Sequence, residues 1–202
     1  MSSLLPTPTL ELVRAASDEF DHGTEVTESS LKQLLEHFPR NDEEPHVLLK
    51  VVTLNRLYAT NILDVWTVAR VITERRIDPL LAVGAPGVVD LIAKVSIGGK
   101  IRNNYSFATK YCSWHKPAAY AIYDRNVDAC LWAYRKQDTY FTFAHDDLWV
   151  YETFLKAMKD FRDHYELGPV TLKQLDKFLW KHGKEILDSK AAARQKAVGT
   201  AA

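Results

Sequence analysis

The sequence has few cysteines and no long apolar run. Cys112 and Cys130 are the only two cysteines in its 202 residues, too few to hold a four-cysteine iron–sulfur cluster. No stretch approaches the roughly 18 uninterrupted apolar residues of a membrane span. The N-terminus lacks the charged region and the apolar run of a signal peptide. We therefore expect a cytoplasmic protein with free thiols and no membrane partner.

The chain also lacks a net charge, because 26 Lys and Arg residues balance 26 Asp and Glu residues. No global field recruits nucleic acid, so an anionic partner needs a local basic patch. The His residues do not fall at the spacing of metal ligands and no phosphate-binding loop is present, so neither a metal nor another cofactor is expected. Hydrophobic residues, at 47% of the chain, are plentiful enough to build a core.

Apolar residues recur at helical spacing along most of the chain, and the interruptions fall at Gly, Pro and helix-capping residues. This pattern predicts an all-α fold: a single compact multi-helix domain over residues 1–190 and a disordered tail over residues 191–202. Asp21–Thr24 is expected to divide the first helical pattern in two, and Thr139–Phe143, the best strand candidate, is expected to be an extended connector. Helices are expected near residues 9–20, 30–38, 44–57, 62–76, 79–83, 88–95, 107–115, 125–136, 146–165 and 172–189.

The stretch between Asp90 and Asp124 contains no Asp or Glu but is rich in cations and aromatic residues. A local anion site in this acid-free segment, residues 91–123, would suit the backbone phosphates of DNA. Aromatic faces beside cations also suit an unstacked base. The alternative is an exposed basic face over a helix whose aromatic side chains point into the core. The candidate DNA-binding residues are Lys94, Lys100, Arg102 and Lys116.

Residues 106–127 resemble the reactive core of the helix-hairpin-helix DNA glycosylase superfamily. In that superfamily a lysine lies near the start of one helix, and an aspartate follows at the start of the next helix after a short apolar segment. Thr109-Lys110 and Ile122-Tyr123-Asp124 occupy those places in this sequence. The compact spacing is most similar to that of short bacterial proteins related to 8-oxoguanine glycosylases.

The resemblance implies excision of a damaged base from DNA, with Lys110 and Asp124 as the catalytic pair. A neutral lysine can attack C1′ of the nucleotide to give a Schiff base, with strand cleavage as a further outcome, and neighbouring cations favour the neutral amine. An aspartate at a helix N-terminus stays ionised and can stabilise positive charge on the sugar. The plain alternatives are that Asp124 only caps a helix and that Lys110 faces solvent.

Polar residues interrupt the apolar pattern near residues 55–61. Asn55, Tyr58 and Asn61 are candidates for reading the edge of a flipped base, and Tyr105 and Trp114 are candidate walls of the same pocket. The alternative is a joint between two helices, at which these polar groups form local hydrogen bonds.

The sequence departs from the superfamily pattern at the glycine hairpin. Gly98-Gly99 does not lie directly before the lysine helix, because residues 100–105 intervene. The hairpin is therefore either enlarged or no longer clamps DNA. This departure favours an alternative function, a catalytically inactive DNA-binding or protein-interaction module of the same fold. The sequence does not indicate the oligomeric state.

Overall fold

The computed structural model describes residues 5–138 and 142–199, and it confirms the all-α fold. Within these ranges the one departure from helix and loop is a two-stranded antiparallel hairpin. The elements are α1 Leu10–His37, α2 Glu44–Leu57, α3 Val65–Glu74, α4 Asp78–Val83, α5 Val88–Ala93, β1 Lys94–Ile97, β2 Lys100–Asn103, α6 Tyr105–His115, α7 Arg125–Gln137, a 3₁₀ turn His145–Trp149, α8 Tyr151–His164 and α9 Leu172–Gly199.

Local capping chemistry explains some of the helix boundaries. The Asp64 carboxylate accepts a hydrogen bond from the backbone N–H of Thr67 and begins α3. Gly84 ends α4 in the left-handed conformation, at φ 73°. These two signals can be recognised in the sequence, because each depends on residues only a few positions apart. The expected joint between α2 and α3 is confirmed at residues 58–64.

The first helix is continuous, so the predicted break at Asp21–Thr24 is wrong. Gly23 lies in the middle of α1 with no atom near the place where a side chain would begin. A glycine in a helix costs about 1 kcal/mol relative to alanine, and contacts with α9 offset that cost. Three ion pairs join α1 to α9: Glu19–Lys181, Asp21–Lys177 and Glu28–Lys173.

The hairpin replaces the end of a predicted helix. Helix α5 ends at Ala93 rather than near Val95, and residues 94–103 form two paired strands. Gly98 and Gly99 occupy the two-residue turn with positive φ angles of 57° and 74°, as a tight hairpin turn requires. The other strand candidate, residues 139–143, lies mostly outside the described residues, and residues 142 and 143 belong to no strand.

The last helix packs against α1 and α7 and is longer than predicted. Gly183 lies so close to α7 that a Cβ atom there would be 1.8 Å from the carbonyl oxygen of Asn126. Helix α9 does not end near Ser189 but continues to Gly199, so the expected tail is helical that far. Residues 191–196 are exposed, and their Ala and Lys content favours helix without packing. Residues 200–202 lie outside the described residues.

One hydrophobic cluster joins most of these helices, and it includes both cysteines, which are free and buried. In residues 5–138 and 142–199 no helix is both long and apolar enough to cross a bilayer. The same ranges contain no group of three or more His, Cys, Asp or Glu side chains arranged to hold a metal ion.

Candidate functional site

Lys110 is buried in the middle of α6, with only 3% of its surface exposed. Its amine donates hydrogen bonds to the Ser106 hydroxyl at 2.7 Å and to the carbonyl oxygen of Tyr123 at 3.3 Å. Ser106 is the second residue of this helix, whose N-cap position is Asn104, and its hydroxyl accepts the hydrogen bond from Lys110. This burial shows that the alternative of a solvent-facing Lys110 is wrong. A buried amine also needs hydrogen-bond partners inside the protein.

Asp124 caps α7, as the sequence predicts. Its Oδ1 atom accepts hydrogen bonds from the backbone N–H groups of Asn126 at 2.8 Å and Val127 at 3.0 Å. The preceding residue is tied to α6, because the Thr109 hydroxyl accepts a hydrogen bond from the Tyr123 N–H at 3.0 Å. The structure therefore brings Thr109-Lys110 and Tyr123-Asp124 side by side, with Asp124 only partly buried.

Two carboxylates act on the Lys110 amine. Burial lowers the pKa of Lys110, while the charges of Asp124 and Asp176 oppose that shift. Asp176 projects from α9 and is itself buried, and its pKa is raised well above the usual range by burial and by the nearby charge of Asp124. Its Oδ1 atom has no hydrogen-bond partner among the described residues. The site thus holds an amine whose pKa is lowered and a carboxyl group whose pKa is raised, both mainly by burial.

An aromatic pair covers the amine. The Lys110 Nζ atom lies 5.5 Å from the centre of the Tyr58 ring, within range of a cation–π contact. The Trp114 indole N–H donates a hydrogen bond to the Tyr58 hydroxyl at 2.9 Å. The amine of Lys173 lies over the indole ring of Trp114, 4.4 Å from the ring centre. Lys110 is consequently shielded from solvent on this side.

A cavity of about 590 Å³, lined in part by Trp114, lies between α1 and the end of α6. Trp114 and Ile122 contribute apolar wall, and the side chains of Lys32, Glu36 and Lys173 bring charges of both signs. His115 lines this cavity and a second one of about 460 Å³. Burial and the charge of Lys50 lower the pKa of His115 to about 3, so its ring is neutral near pH 7.

Of the five predicted base-pocket residues, Trp114 lines the cavity, and Tyr58 lies over the Lys110 amine without lining the cavity. Asn55 belongs to the helix joint, where its Oδ1 atom accepts hydrogen bonds from the Thr60 hydroxyl and the Ile62 N–H, both at 2.9 Å. Asn55 thus forms local hydrogen bonds at the joint between two helices, which is the alternative given for residues 55–61. It does not line the cavity.

Asn61 and Tyr105 also lie away from the cavity lining. Asn61 is an exposed joint residue in the left-handed conformation, at φ 55°. Tyr105 is a core residue whose hydroxyl donates to the carbonyl oxygen of Leu148 at 3.1 Å. The apolar pattern of the sequence does not separate such core tyrosines from pocket tyrosines.

The predicted DNA-binding cations do not form one patch. Lys100 and Arg102 are exposed on β2, beside the Gly98-Gly99 turn. Lys94 is paired with Asp90 at 2.7 Å. Lys116 follows the C-terminal end of α6 and donates to the carbonyl oxygen of Ala82, so the length of that helix, about 16 Å, separates it from the hairpin.

Sequence reasoning missed Asp176, Ser106 and Lys173 at this site. The sequence does carry a signal for Asp176, because this carboxylate lies among the apolar residues Leu175, Phe178 and Leu179. Phe178 and Leu179 are fully buried and belong to the hydrophobic core. Only the fold brings α9 to Lys110.

Comparisons with known proteins place the chain in a family without describing an activity. An uncharacterized protein of Haemophilus influenzae is 39% identical over 133 residues, which are 65% of this chain. These residues are only 63% of the relative's own length, so the chain spans less than two thirds of it. No solved structure matches the chain. The HI_0787_N family, described as an N-terminal domain, matches residues 11–119, a range that includes Lys110 and stops before Asp124. Because this match extends over more than half of the chain, the protein belongs to the HI_0787_N family.

Proposed function

We propose that this protein is a cytoplasmic DNA glycosylase of the base-excision type, with Lys110 as nucleophile and Asp124 as electrostatic partner on an oxidised base. The observation that carries the proposal is the environment of the Lys110 amine. Burial lowers its pKa, and its neighbours include the Tyr123 carbonyl at 3.3 Å, directly before the Asp124 cap. A lysine nucleophile needs both features, a larger neutral fraction and a carboxylate near the developing positive charge.

The chemistry follows from these groups. The Lys110 nitrogen forms a bond to C1′ while the bond between C1′ and the base breaks, and the bonding electrons leave with the base. One proton passes from the lysine nitrogen to the departing base. The bond between C1′ and O4′ then breaks, and its electrons go to O4′, which takes a proton from water and leaves hydroxide. The Lys110 nitrogen is left in a protonated Schiff base with C1′. Asp124 stabilises the positive charge that develops on the sugar.

DNA binding would use two separate surfaces. Lys100 and Arg102 on the exposed strand β2 are suited to backbone phosphates. The cavity beside Trp114 has an aromatic wall and, at about 590 Å³, enough room for an extruded base. Few cations take part, so we expect binding to be weak at physiological salt and to strengthen as salt is lowered.

Borohydride trapping tests the catalytic proposal. Wild-type protein is incubated with duplexes that contain either 8-oxoguanine or an abasic site, and borohydride reduces any Schiff base to a stable covalent adduct. We expect an adduct with wild-type protein and none with Lys110→Met, which keeps an unbranched side chain in the same space. Lys100→Ala is the matched control, because it removes a surface lysine and should weaken binding without abolishing trapping. Trapping by Lys110→Met at the wild-type level would contradict the assignment.

A second function, a DNA-binding module without catalysis, is favoured by one observation. The Lys110 amine lies under Tyr58, and only 3% of the residue is exposed. Salt-dependent binding to DNA, without trapping on either duplex, would support this module. Absence of salt-dependent binding to single- and double-stranded DNA would instead favour a protein-interaction module. Sedimentation of the protein alone would determine the oligomeric state.

A further inference from the structure

A continuous chain of contacts leads from the rim of the cavity to the Lys110 amine. Glu28 on α1 pairs with Lys173 on α9, and the Lys173 amine lies 4.4 Å from the centre of the Trp114 ring. Trp114 donates to the Tyr58 hydroxyl at 2.9 Å, and the Tyr58 ring faces the Lys110 amine at 5.5 Å. Trp114 thus lines the cavity and also bonds to Tyr58, the ring that lies over the Lys110 amine.

The remaining neighbours of Lys110 are fixed more firmly than Tyr58. The Tyr123 carbonyl belongs to a buried segment that also bonds to Thr109 through its N–H at 3.0 Å. Ser106 lies on the same helix as Lys110, one turn earlier. Tyr58, by contrast, is only partly buried and immediately follows the end of α2. Of these groups, its ring is the one that can turn away without disrupting a helix.

The backbone directly after Tyr58 adopts an uncommon conformation. Ala59 and Asn61 both have positive φ angles, 47° and 55°, in a region that L-residues other than glycine seldom adopt. Ala59 is also exposed, so few side-chain contacts hold that position. The Tyr58 hydroxyl is held by the hydrogen bond that it accepts from the Trp114 indole N–H.

We propose that Tyr58 and Trp114 form a gate between the cavity and the Lys110 amine, closed by the hydrogen bond from the Trp114 indole N–H to the Tyr58 hydroxyl. Both are positioning residues, and the gate must open before an extruded base in the cavity can reach the amine. The purpose of the gate rests on the proposed function, whereas its test needs only the protein. A closed gate keeps the amine away from small aldehydes and other electrophiles when no substrate is bound.

Reductive methylation of the protein alone tests the gate. Formaldehyde with cyanoborohydride labels accessible amines, and peptide mass spectrometry gives the labelling rate at Lys110. Tyr58→Phe and Trp114→Phe each keep an aromatic ring and remove the closing hydrogen bond. We expect either variant to raise the labelling rate at Lys110 about tenfold, the effect of losing one hydrogen bond on an opening equilibrium. Labelling of exposed lysines such as Lys190 provides the internal reference.

Tyr105→Phe is the matched control. It also removes one tyrosine hydroxyl with a hydrogen bond, to the carbonyl oxygen of Leu148 at 3.1 Å, but that bond lies outside the contact chain. Its Lys110 labelling should equal that of wild type. The gate is refuted if both folded variants, Tyr58→Phe and Trp114→Phe, label Lys110 at the wild-type rate. If one of them fails to show cooperative thermal unfolding, the other decides the question.

The two proposals fail in distinguishable ways, because the labelling experiment contains no DNA. Faster labelling in the variants, without borohydride trapping on any duplex, would leave the gate standing and reject the glycosylase. Trapping by wild-type protein, with no change of labelling in either variant, would support the glycosylase and reject the gate. If both proposals are correct, Trp114→Phe should label faster at Lys110 while wild-type protein forms the trapped adduct.

Discussion

Replacement of Gly183 by alanine tests the close contact that holds α9 against the start of α7. A Cβ atom at this position would lie 1.8 Å from the carbonyl oxygen of Asn126 and 2.4 Å from its carbonyl carbon. Both atoms belong to the backbone, so no side-chain rotation can relieve the clash. The helices must therefore separate by more than an ångström at Asn126, which lies two residues after Asp124.

The expected loss of stability can be worked out from opposing effects. Overpacking of a core contact costs about 1–3 kcal/mol, and more where only backbone can move. Alanine in place of glycine in a helix recovers about 1 kcal/mol. We therefore expect Gly183→Ala to lower the free energy of unfolding by about 2 kcal/mol, which corresponds to a melting temperature about 4–8 °C lower in a chain of this size.

Gly23→Ala is the matched control for this substitution. Gly23 also lies inside a long helix, but no atom lies within 4 Å of its ideal Cβ position. Only the gain in helix propensity remains, so the variant should be up to about 1 kcal/mol more stable than wild type. Urea unfolding followed by circular dichroism measures both variants. Equal effects of Gly183→Ala and Gly23→Ala would refute the reasoning.

Further predictions concern Asp124 and Lys50. Asp124→Ala should cost about 1 kcal/mol through loss of the helix cap, whereas Asp124→Asn should keep the cap and most of the stability but lose borohydride trapping. Thermal unfolding measures the capping role of Asp124, and borohydride trapping measures its catalytic role. Full trapping by Asp124→Asn would show that Asp124 only caps the helix. Burial lowers the pKa of Lys50 from 10.5 to about 8, so the folded protein releases this proton before the unfolded chain does. Stability should therefore rise between pH 8 and 10.5, by up to about 3 kcal/mol from this group. Urea unfolding of wild type and of Lys50→Met at pH 8 and at pH 10.5 measures this contribution as the difference between their free energies of unfolding. The same difference at both pH values would contradict the lowered pKa of Lys50.

The structure gives Lys50 a clear role, which makes its prediction specific. The Lys50 amine donates to the carbonyl oxygens of Phe38 and Arg40 at 3.0 and 2.7 Å, and to the Asn41 side-chain oxygen at 2.6 Å. Asn41 also donates to the Asp78 carboxylate. One buried lysine thus holds the α1–α2 connection to the body of the protein, a role that no sequence pattern indicates.

Local interactions explain which parts of the fold can be predicted from the sequence. The Asp124 cap and the Gly84 stop depend on neighbouring residues, and both are where the pattern predicts. The Gly98-Gly99 turn is also a local hairpin signal, but its strands are short and β2 is fully exposed. Without an alternation of buried and exposed residues, the strand period is missing and the helical pattern of residues 88–93 was extended too far.

Long-range contacts explain what the sequence could not predict. Helix α1 continues through Gly23 because α9 pairs with it at Asp21 and Glu28. Lys110 is buried because Tyr58, from the end of α2, lies over its amine. Asp176 reaches the same site from a helix that begins more than sixty positions after Lys110. Each contact depends on packing between distant elements, whereas the positions of Lys110 and Asp124 depend on one short segment.

The most direct test of the central claim is to identify the residue that carries the trapped nucleotide. Wild-type protein is reduced with borohydride on a duplex that contains an abasic site, digested with protease and nuclease, and mapped by mass spectrometry. The proposed chemistry predicts a sugar remnant on the peptide that contains Lys110, and on no other lysine peptide. An adduct on a surface lysine such as Lys100, with Lys110 unmodified, would contradict it.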